Sequence, residues 1–166
     1  FGQPVWTRDG CGLLLVGWPH TSPNFPGVAK KLGVVFCYNR PAYIYHVPVS
    51  RSGDGGVLSF GPATPVSKPH HGSATWPAFS PDGCLLVYLS HDAAVETGTH
   101  GATAKLCSAQ WPDACSASAS PRVLIDVVDV PPPGLGAASF PGLYANTLPE
   151  SPFFAGGAAL VVPTQW

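Results

Sequence analysis

The chain has 166 residues, of which 45% are hydrophobic and 10% are charged, and its formal net charge is −1. The hydrophobic content excludes disorder throughout, and the scattered Lys and Arg residues form no basic stripe that would bind nucleic acid. The longest apolar runs have the size of a strand, well below the roughly 18 residues of a membrane span. The first residues also lack the basic and apolar regions of a signal peptide.

The first predicted element is a β-hairpin. The sequence Trp-Thr-Arg-Asp-Gly-Cys at residues 6–11 joins a short strand to the aliphatic run at residues 13–16. In such a turn, Asp accepts hydrogen bonds from nearby amides and Gly adopts a positive φ. Two further strands are predicted over residues 32–38 and 42–49, joined by a tight Asn-Arg-Pro turn, with loops at 19–31 and 50–75.

The same pattern returns 73 residues later. The sequence Phe-Ser-Pro-Asp-Gly-Cys at residues 79–84 precedes the apolar run at residues 85–89. Strands are then predicted over 104–111 and 122–128, with loops at 91–103 and 112–121. A degenerate third copy begins with two Phe residues at 153 and 154, keeps its glycines, and continues into the apolar run at residues 158–162.

Four antiparallel strands in each repeat, without helical periodicity, are typical of β-propeller blades. Continuous apolar runs fit this arrangement, because a strand between two neighbouring blades is buried on both faces. We therefore predict an all-β fold, a partial β-propeller with about two four-stranded antiparallel blades plus the start of a third. The blades are expected to begin near residues 3, 76 and 150 of a single domain that spans residues 1–166.

Two alternatives, one of fold and one of function, fit the sequence less well. A stand-alone binding module built as a β-sandwich would show cleaner alternation on its outer faces and no regular four-strand repeat. A propeller scaffold for protein–protein binding, of the WD-repeat or Kelch type, would show Trp-Asp strand endings or paired glycines that this sequence lacks.

No residue of the chain is assigned a catalytic role from the sequence. Ser73 follows a glycine, but it lacks the Gly-x-Ser-x-Gly elbow and the following helix of a serine hydrolase. Asp9 and Asp82 are assigned to turn capping rather than to a carboxylate pair. The Gly-Asp-Gly-Gly run at residues 53–56 lacks the Lys and the helix of a phosphate loop, so it is predicted to be a hairpin tip.

No metal or cofactor site is predicted either. His70 and His71 are adjacent, and His46 lies on a strand beside Tyr45. His20, His91 and His100 lie in predicted loops, where they are expected to be solvated. None has another ligand type at metal-binding spacing. Arg40 is assigned a structural role toward a neighbouring blade, in preference to a ligand contact in a propeller channel.

Five cysteines, an odd number without zinc spacing, stand at positions 11, 37, 84, 107 and 115. The first four lie in or beside apolar runs, so they are predicted to be buried thiols of a reduced, cytoplasmic protein. The chain has no Met and begins with Phe1. We therefore expect it to be a segment of a longer protein, with a processed protein as the alternative.

Several stretches match, in the same order along the chain, the propeller of a known family. They are Val-Gly-Trp at 16–18, Leu-Gly-Val-Val-Phe-Cys-Tyr-Asn-Arg at 32–40, the turn and strand at 79–89, Lys-Leu-Cys at 105–107, Val-Val-Asp-Val at 127–130 and Phe-Pro-Gly-Leu-Tyr at 140–144. This ordered set resembles the acylaminoacyl-peptidases, or acylamino-acid-releasing enzymes, of the prolyl oligopeptidase family. The chain departs from the family in its expanded Ala/Gly/Pro-rich loops and at residues 153–156, where Phe-Phe-Ala-Gly replaces Trp-Ser-x-Asp.

The resemblance implies a parent enzyme that releases N-acylated amino acids from blocked short peptides through a Ser-His-Asp triad. It implies that the triad lies on an α/β-hydrolase domain absent from this chain, and that the propeller restricts entry to small peptides. The expected partners are N-acylated short peptides, that hydrolase domain and further copies of the chain in a homo-oligomer. No cofactor, nucleic acid or membrane is expected to bind.

Overall fold

The computed structural model describes residues 4–18, 42–53, 56–67, 73–91, 104–115, 120–127, 143–145, 147–157 and 159–164. Within these ranges, the regular secondary structure is β-strand, apart from two short 3-10 turns at Asp113–Cys115 and Ala155–Gly157. The strands are β1 (Val5–Trp6), β2 (Gly12–Gly17), β3 (Tyr43–Arg51), β4 (Leu58–Phe60), β5 (Thr64–Pro65), β6 (Ser73–Phe79), β7 (Leu85–His91), β8 (Lys105–Gln110), β9 (Arg122–Ile125), β10 (Phe153–Phe154) and β11 (Ala159–Leu160). The described part of the chain contains no helix with the length and hydropathy needed to cross a membrane.

The strands form three antiparallel sheets that follow one another along the chain. Blade 1 has the strand order β1-β2-β3-β4, and β5 also pairs with β3. Blade 2 has the order β6-β7-β8-β9, and the third sheet is the hairpin β10-β11. The predicted all-β partial propeller is therefore confirmed, and the propeller is not closed.

The outer strand of blade 1 differs from the prediction. The predicted strand at residues 32–38 lies outside the described residues, and β2 pairs directly with β3 along its whole length. The far edge of β3 is instead occupied by β4 and then β5, which both come from the segment predicted as a loop. Every residue of β4 and β5 is exposed, so no buried apolar alternation marks them in the sequence.

The two predicted hairpin turns are confirmed and have matching hydrogen bonds. The amide of Cys11 donates to Asp9 Oδ1 over 2.9 Å, and the amide of Cys84 donates to Asp82 Oδ1 over 3.0 Å. In each turn a hydroxyl group also donates to the same carboxylate oxygen, over 2.6 Å from Thr7. The turn glycines have φ values of 68° and 75°, which favour glycine because it has no Cβ atom.

The equivalent turns of successive blades contact one another. The Arg8 guanidinium of the first turn donates a hydrogen bond to the carbonyl oxygen of Pro81, the residue 73 positions later in the second turn. A Cβ atom on Gly83 would lie 2.7 Å from the Cβ atom of Arg8, so this contact requires glycine. A Cβ atom on Gly157, in the third hairpin, would lie 3.3 Å from Pro81 Cδ. The three turns therefore stack at one end of the blades.

Two apolar clusters hold the blades together. The first lies between blades 1 and 2 and contains Leu14, Val16, Ala42, Ile44, Ala74, Leu86, Tyr88 and Cys107. The second joins blade 2 to the segment that follows it and contains Ala78, Val87, Leu89, Ala104, Leu106, Leu143, Ala145 and Leu148. Alternate residues of β7 therefore enter opposite clusters, which confirms that its continuous apolar run is buried on both faces.

The cysteine predictions have mixed outcomes. Cys107 is buried, as predicted, whereas the prediction was wrong for Cys11 and Cys84, which are both exposed. Both residues immediately follow the glycine of a hairpin turn, where the backbone is held by the Asp carboxylate and the side chain points to solvent. Cys37 lies outside the described residues, and Cys115 is exposed.

Candidate functional site

A cavity of about 610 Å³ opens between the first strands of successive blades. Its walls come from four pieces of chain: residues 4–6 of the first strand, Val16 and Trp18 at the end of β2, residues 75–77 of β6, and residues 148–150 before β10. Three tryptophans, Trp6, Trp18 and Trp76, line it, and we call it the aromatic cavity. Blades 1 and 2 and the lead-in to β10 thus converge on one opening.

The backbone of β6 is distorted where it borders this cavity. The pairing of β6 with β7 shifts register between Thr75 and Ala78. Trp76, within the shift, has a φ of 55°, which is unusual for a bulky residue and costs on the order of 1–3 kcal/mol. Such bulges bend a strand and redirect a side chain. Pro77 is compatible with this position because a bulge needs no ladder hydrogen bond there.

The rings of the aromatic cavity are open to solvent to different extents. Trp6 is 49% exposed and Trp76 is 39% exposed, although large apolar side chains are usually covered. Trp18 is half-buried and packs against the cluster between blades 1 and 2. Apart from the indole N–H groups, the polar side chains of the described lining are Thr75 and Glu150. This arrangement is suited to binding a side chain through ring faces and one carboxylate.

Ser73 and His91 are brought together by the fold, but inside the protein. They are paired across β6 and β7, and they are 0% and 3% exposed. The Ser73 hydroxyl oxygen accepts a hydrogen bond of 2.7 Å from the amide of Ala42, and His91 Nε2 lies 3.4 Å from the Thr75 hydroxyl oxygen. The predicted solvated loop position of His91 was therefore wrong, because β7 extends to it and buries it.

His46 lies on β3, as predicted, and is half-buried. Its ring meets the indole of Trp111 edge-on, with the ring centroids 5.2 Å apart. Burial lowers the pKa of His46, and the charge of Asp9 partly opposes that shift. A Cβ atom on Gly12 would collide with the His46 imidazole, so the ring in this position needs a glycine on the adjacent strand β2.

The predicted capping role of Asp9 and Asp82 is confirmed. Hydrogen bonds from the hydroxyl groups of Thr7 and Ser80 lower the pKa values of Asp9 and Asp82, and the amides two residues ahead add to this. Each carboxylate serves its own turn. The structure does not assemble them into a catalytic pair.

The remaining candidates are placed as follows. Gly53, with a φ of 60°, and Gly56 lie in the connection between β3 and β4, which confirms a hairpin there; Asp54 and Gly55 are outside the described residues. Arg40 and the histidines at positions 20, 70, 71 and 100 also lie outside them. Among the residues that are described, no three His, Cys, Asp or Glu side chains cluster as a metal site.

Sequence reasoning missed the aromatic cavity. The available signal was Trp-Pro inside an otherwise strand-like run at residues 76–77, since proline within a strand marks a bulge or an edge. The meeting of Trp6, Trp18 and Trp76 gave no local signal, because the three residues are brought together only when the blades pack.

Antiparallel sheets of five and four strands that follow one another along the chain place it in the class of β-propeller proteins. Residues 1–166 match the family described as "Acylamino-acid-releasing enzyme, N-terminal domain". The chain is 31% identical to acylamino-acid-releasing enzyme 1 of Oryza sativa subsp. japonica, over 99% of the chain and 22% of that protein. It is 33% identical to the enzyme of Arabidopsis thaliana over 99% of the chain and 21% of that protein. It is 31% identical to the enzyme of Homo sapiens over 89% of the chain and 16% of that protein.

The chain therefore belongs to the acylamino-acid-releasing enzyme family and corresponds to its N-terminal domain. It spans about a fifth of the length of the plant relatives it matches.

Proposed function

We propose that the chain is the propeller portion of a serine peptidase that releases N-acylated amino acids from blocked short peptides, and that its blades restrict which peptides reach the catalytic centre. One observation carries the proposal: the first strands of successive blades converge on a single cavity of about 610 Å³. In a propeller, blades surround a central channel. A cavity of this volume lies within the range of small-ligand pockets, so it suits part of a short peptide and is far too small for a folded protein.

The catalytic chemistry is assigned to another domain of the parent protein. Ser73 and His91 are cross-strand partners on β6 and β7, and both are buried. A buried hydroxyl group whose oxygen accepts a backbone amide hydrogen bond is badly placed to attack a substrate. We propose that an α/β-hydrolase domain supplies the Ser-His-Asp triad and that these blades pack on it.

Packing on that domain, and on further copies of the chain, is supported by the exposed apolar edges. Val57, Leu58 and Phe60 at the outer edge of blade 1 are between 39% and 78% exposed. Val123 and Leu124 on the outer strand of blade 2 are also exposed. Unpaired edges with apolar side chains promote association. We expect the isolated chain to associate in sedimentation velocity, and a sharp, monomeric, cooperatively unfolding species would contradict this.

The activity is tested with two proteins and one substrate. The isolated chain and the full-length parent are assayed with N-acetyl-alanyl p-nitroanilide. The parent is expected to hydrolyse it and the isolated chain is not. Turnover by the purified isolated chain would overturn the assignment of catalysis to another domain, and an inactive, folded parent would overturn the peptidase assignment.

The gating role is tested by substrate length. The parent should cleave an N-acetylated tripeptide and leave an N-acetylated chain of about thirty residues intact. Replacing Leu14, a fully buried residue between blades 1 and 2, by Ala should loosen the blades and raise the relative cleavage of the long substrate. Val161→Ala, at an exposed position after β11, is the matched control and should change nothing. Equal cleavage of both lengths by the unaltered parent would exclude gating.

A further inference from the structure

We propose that the aromatic cavity is a subsite for a positively charged side chain, Lys or Arg, of a bound peptide. The inference rests on the proposed function, because that function brings a peptide to this opening. It goes further by specifying which side-chain chemistry on the peptide is recognised there.

The size of the cavity suits this occupant. Ligand pockets generally have volumes between about 300 and 1,000 Å³. The aromatic cavity, at about 610 Å³, holds one long side chain together with the adjoining backbone of a peptide. Its walls of Pro, Val and Leu residues are suited to the methylene stem of Lys or Arg, which prefers apolar surface while its charged end seeks a polar partner.

The aromatic rings favour a cation. Tryptophan is the best of the aromatic side chains at attracting Lys and Arg through the face of its ring. Trp6 and Trp76 come from different blades and border the same opening. Their side chains are 49% and 39% exposed. Two partly open indoles from successive blades are therefore available to a cation at this opening.

The backbone of Trp76 supports a binding role independently. Its φ of 55° is strained for any residue with a side chain, and it lies within the register shift between Thr75 and Ala78. Strain of this kind persists where the surrounding fold enforces it, and it concentrates at binding and catalytic sites. The ring that this strain positions is one wall of the aromatic cavity.

The charge of the lining complements a cation. Glu150 is the charged residue among the described residues that line the cavity, in a chain where only 10% of residues are charged. A carboxylate beside aromatic faces attracts a positive group and repels an acidic one. The proposed subsite depends on the negative charge of the Glu150 carboxylate at this place.

The test measures peptide binding to the full-length protein by isothermal titration calorimetry, after a fluorophosphonate has blocked its peptidase activity so that the peptides are not cleaved. The probes are three N-acetylated tripeptides, acetyl-Ala-Lys-Ala, acetyl-Ala-norleucine-Ala and acetyl-Ala-Glu-Ala. We expect the Lys peptide to bind at least about fivefold more tightly than the norleucine peptide, as one cation–aromatic contact would provide. The Glu peptide should bind most weakly. Added salt should reduce the difference in affinity between the Lys and Glu peptides.

Variants locate the effect. Trp76→Ala, Trp6→Ala and Glu150→Gln should each bring the ratio of the Lys and norleucine peptide affinities toward one. Val161→Ala, an exposed apolar residue outside the cavity lining, should leave that ratio unchanged. If Trp76→Ala does not fold, Trp6→Ala and Glu150→Gln still decide the matter. Equal binding of the Lys and norleucine peptides to the unaltered protein, or a preference that survives all three variants, would overturn the proposal.

Failure of this inference is distinguishable from failure of the proposed function. N-acetyl-alanyl p-nitroanilide has no cationic group, so its hydrolysis reports the peptidase activity alone. Turnover of the anilide without a Lys preference would reject only the subsite. A Lys preference without turnover would reject the peptidase assignment and leave the subsite as a peptide-binding site.

Discussion

The second strands of blades 1 and 2 have closely similar sequences and different surroundings. In β7, every residue from Leu86 to His91 is buried, and alternate side chains enter the two apolar clusters. In β2, Leu14 and Val16 face the cluster between the blades, whereas Leu13 and Leu15 are only half-buried. The burial of an aliphatic run in this fold therefore depends on whether blades pack on one side of it or on both.

The comparison extends to the hairpin turns. The turns at residues 6–11 and 79–84 share the hydrogen bonds that Asp9 and Asp82 accept from a hydroxyl group and from the amide two residues ahead. Their glycines differ in surroundings, because Gly83 faces the Arg8 side chain, whereas a Cβ atom on Gly10 would have no described atom within 4 Å. Repeats that are equivalent locally therefore differ in what surrounds them, and substitutions at matched positions separate the two contributions.

The largest effect is expected in the strand comparison. Leu86→Ala removes a fully buried side chain and should lower the free energy of unfolding by about 2–5 kcal/mol. Leu15→Ala, at the half-buried position, should cost roughly 1 kcal/mol, because less apolar surface is lost from the interior. Urea denaturation of the full-length protein, followed by circular dichroism, measures both, because the isolated chain is expected to associate. Equal losses would mean that the outer face of blade 1 is as fully packed as blade 2.

The turn comparison should give the next largest difference. Gly10→Ala places a side chain at a φ of 68° and should cost about 1–2 kcal/mol from the backbone alone. Gly83→Ala adds a collision with Arg8, since the two Cβ atoms would be 2.7 Å apart, and should cost on the order of 1–3 kcal/mol more. Arg8→Gly introduced into Gly83→Ala should recover part of the loss. Equal stability of the two alanine variants would mean that the Arg8 side chain does not restrict the space at Gly83.

A smaller effect is expected from the turn carboxylates, with a defined pH dependence. Hydrogen bonds lower the pKa of Asp82 below its ordinary value of 3.8 in the folded protein. A lowered carboxylate pKa means that its stabilisation is present above pH 3.8 and is lost as the pH falls through the folded pKa. Asp82→Ala should therefore be less stable than the unaltered protein at pH 7, and the difference should shrink in acid. Asp9→Ala should behave alike, because its hydrogen bonds match; a difference that is constant with pH would contradict this.

The smallest effect is expected at His46. Burial lowers its pKa below the ordinary value of 6.5, so the unfolded chain takes up a proton before the folded protein does. Stability should therefore fall as the pH drops below 6.5 toward the folded pKa, and should level off beneath it. His46→Phe keeps an aromatic ring beside Trp111 and should flatten this part of the profile. Thermal unfolding between pH 5 and 8 measures the slope, and an unchanged slope in the variant would show that another group titrates.

The sequence predicted the features that depend on a few neighbouring residues. The turn at residues 79–84 could be derived from its Asp and Gly, because its hydrogen bonds join residues at most five apart. The third hairpin was found from its two aromatics and glycines alone. The outer strands β4 and β5 were missed, since fully exposed strands have no apolar face to mark them. The burial of His91 and the exposure of Cys84 were missed because neighbouring residues do not show where a strand ends or which side faces solvent.

The sequence by itself determined the repeat, the chemistry of each hairpin turn and, through the ordered motifs, the family. Local hydrogen bonds and backbone preferences act within a turn, so they can be derived from adjacent residues. The tertiary structure decided which aliphatic faces are covered, why Gly83 has no room for a side chain, and where Trp6, Trp18 and Trp76 meet. These features arise from contacts between residues of different blades, such as that of Arg8 with Pro81. Such contacts exist only once the blades have packed.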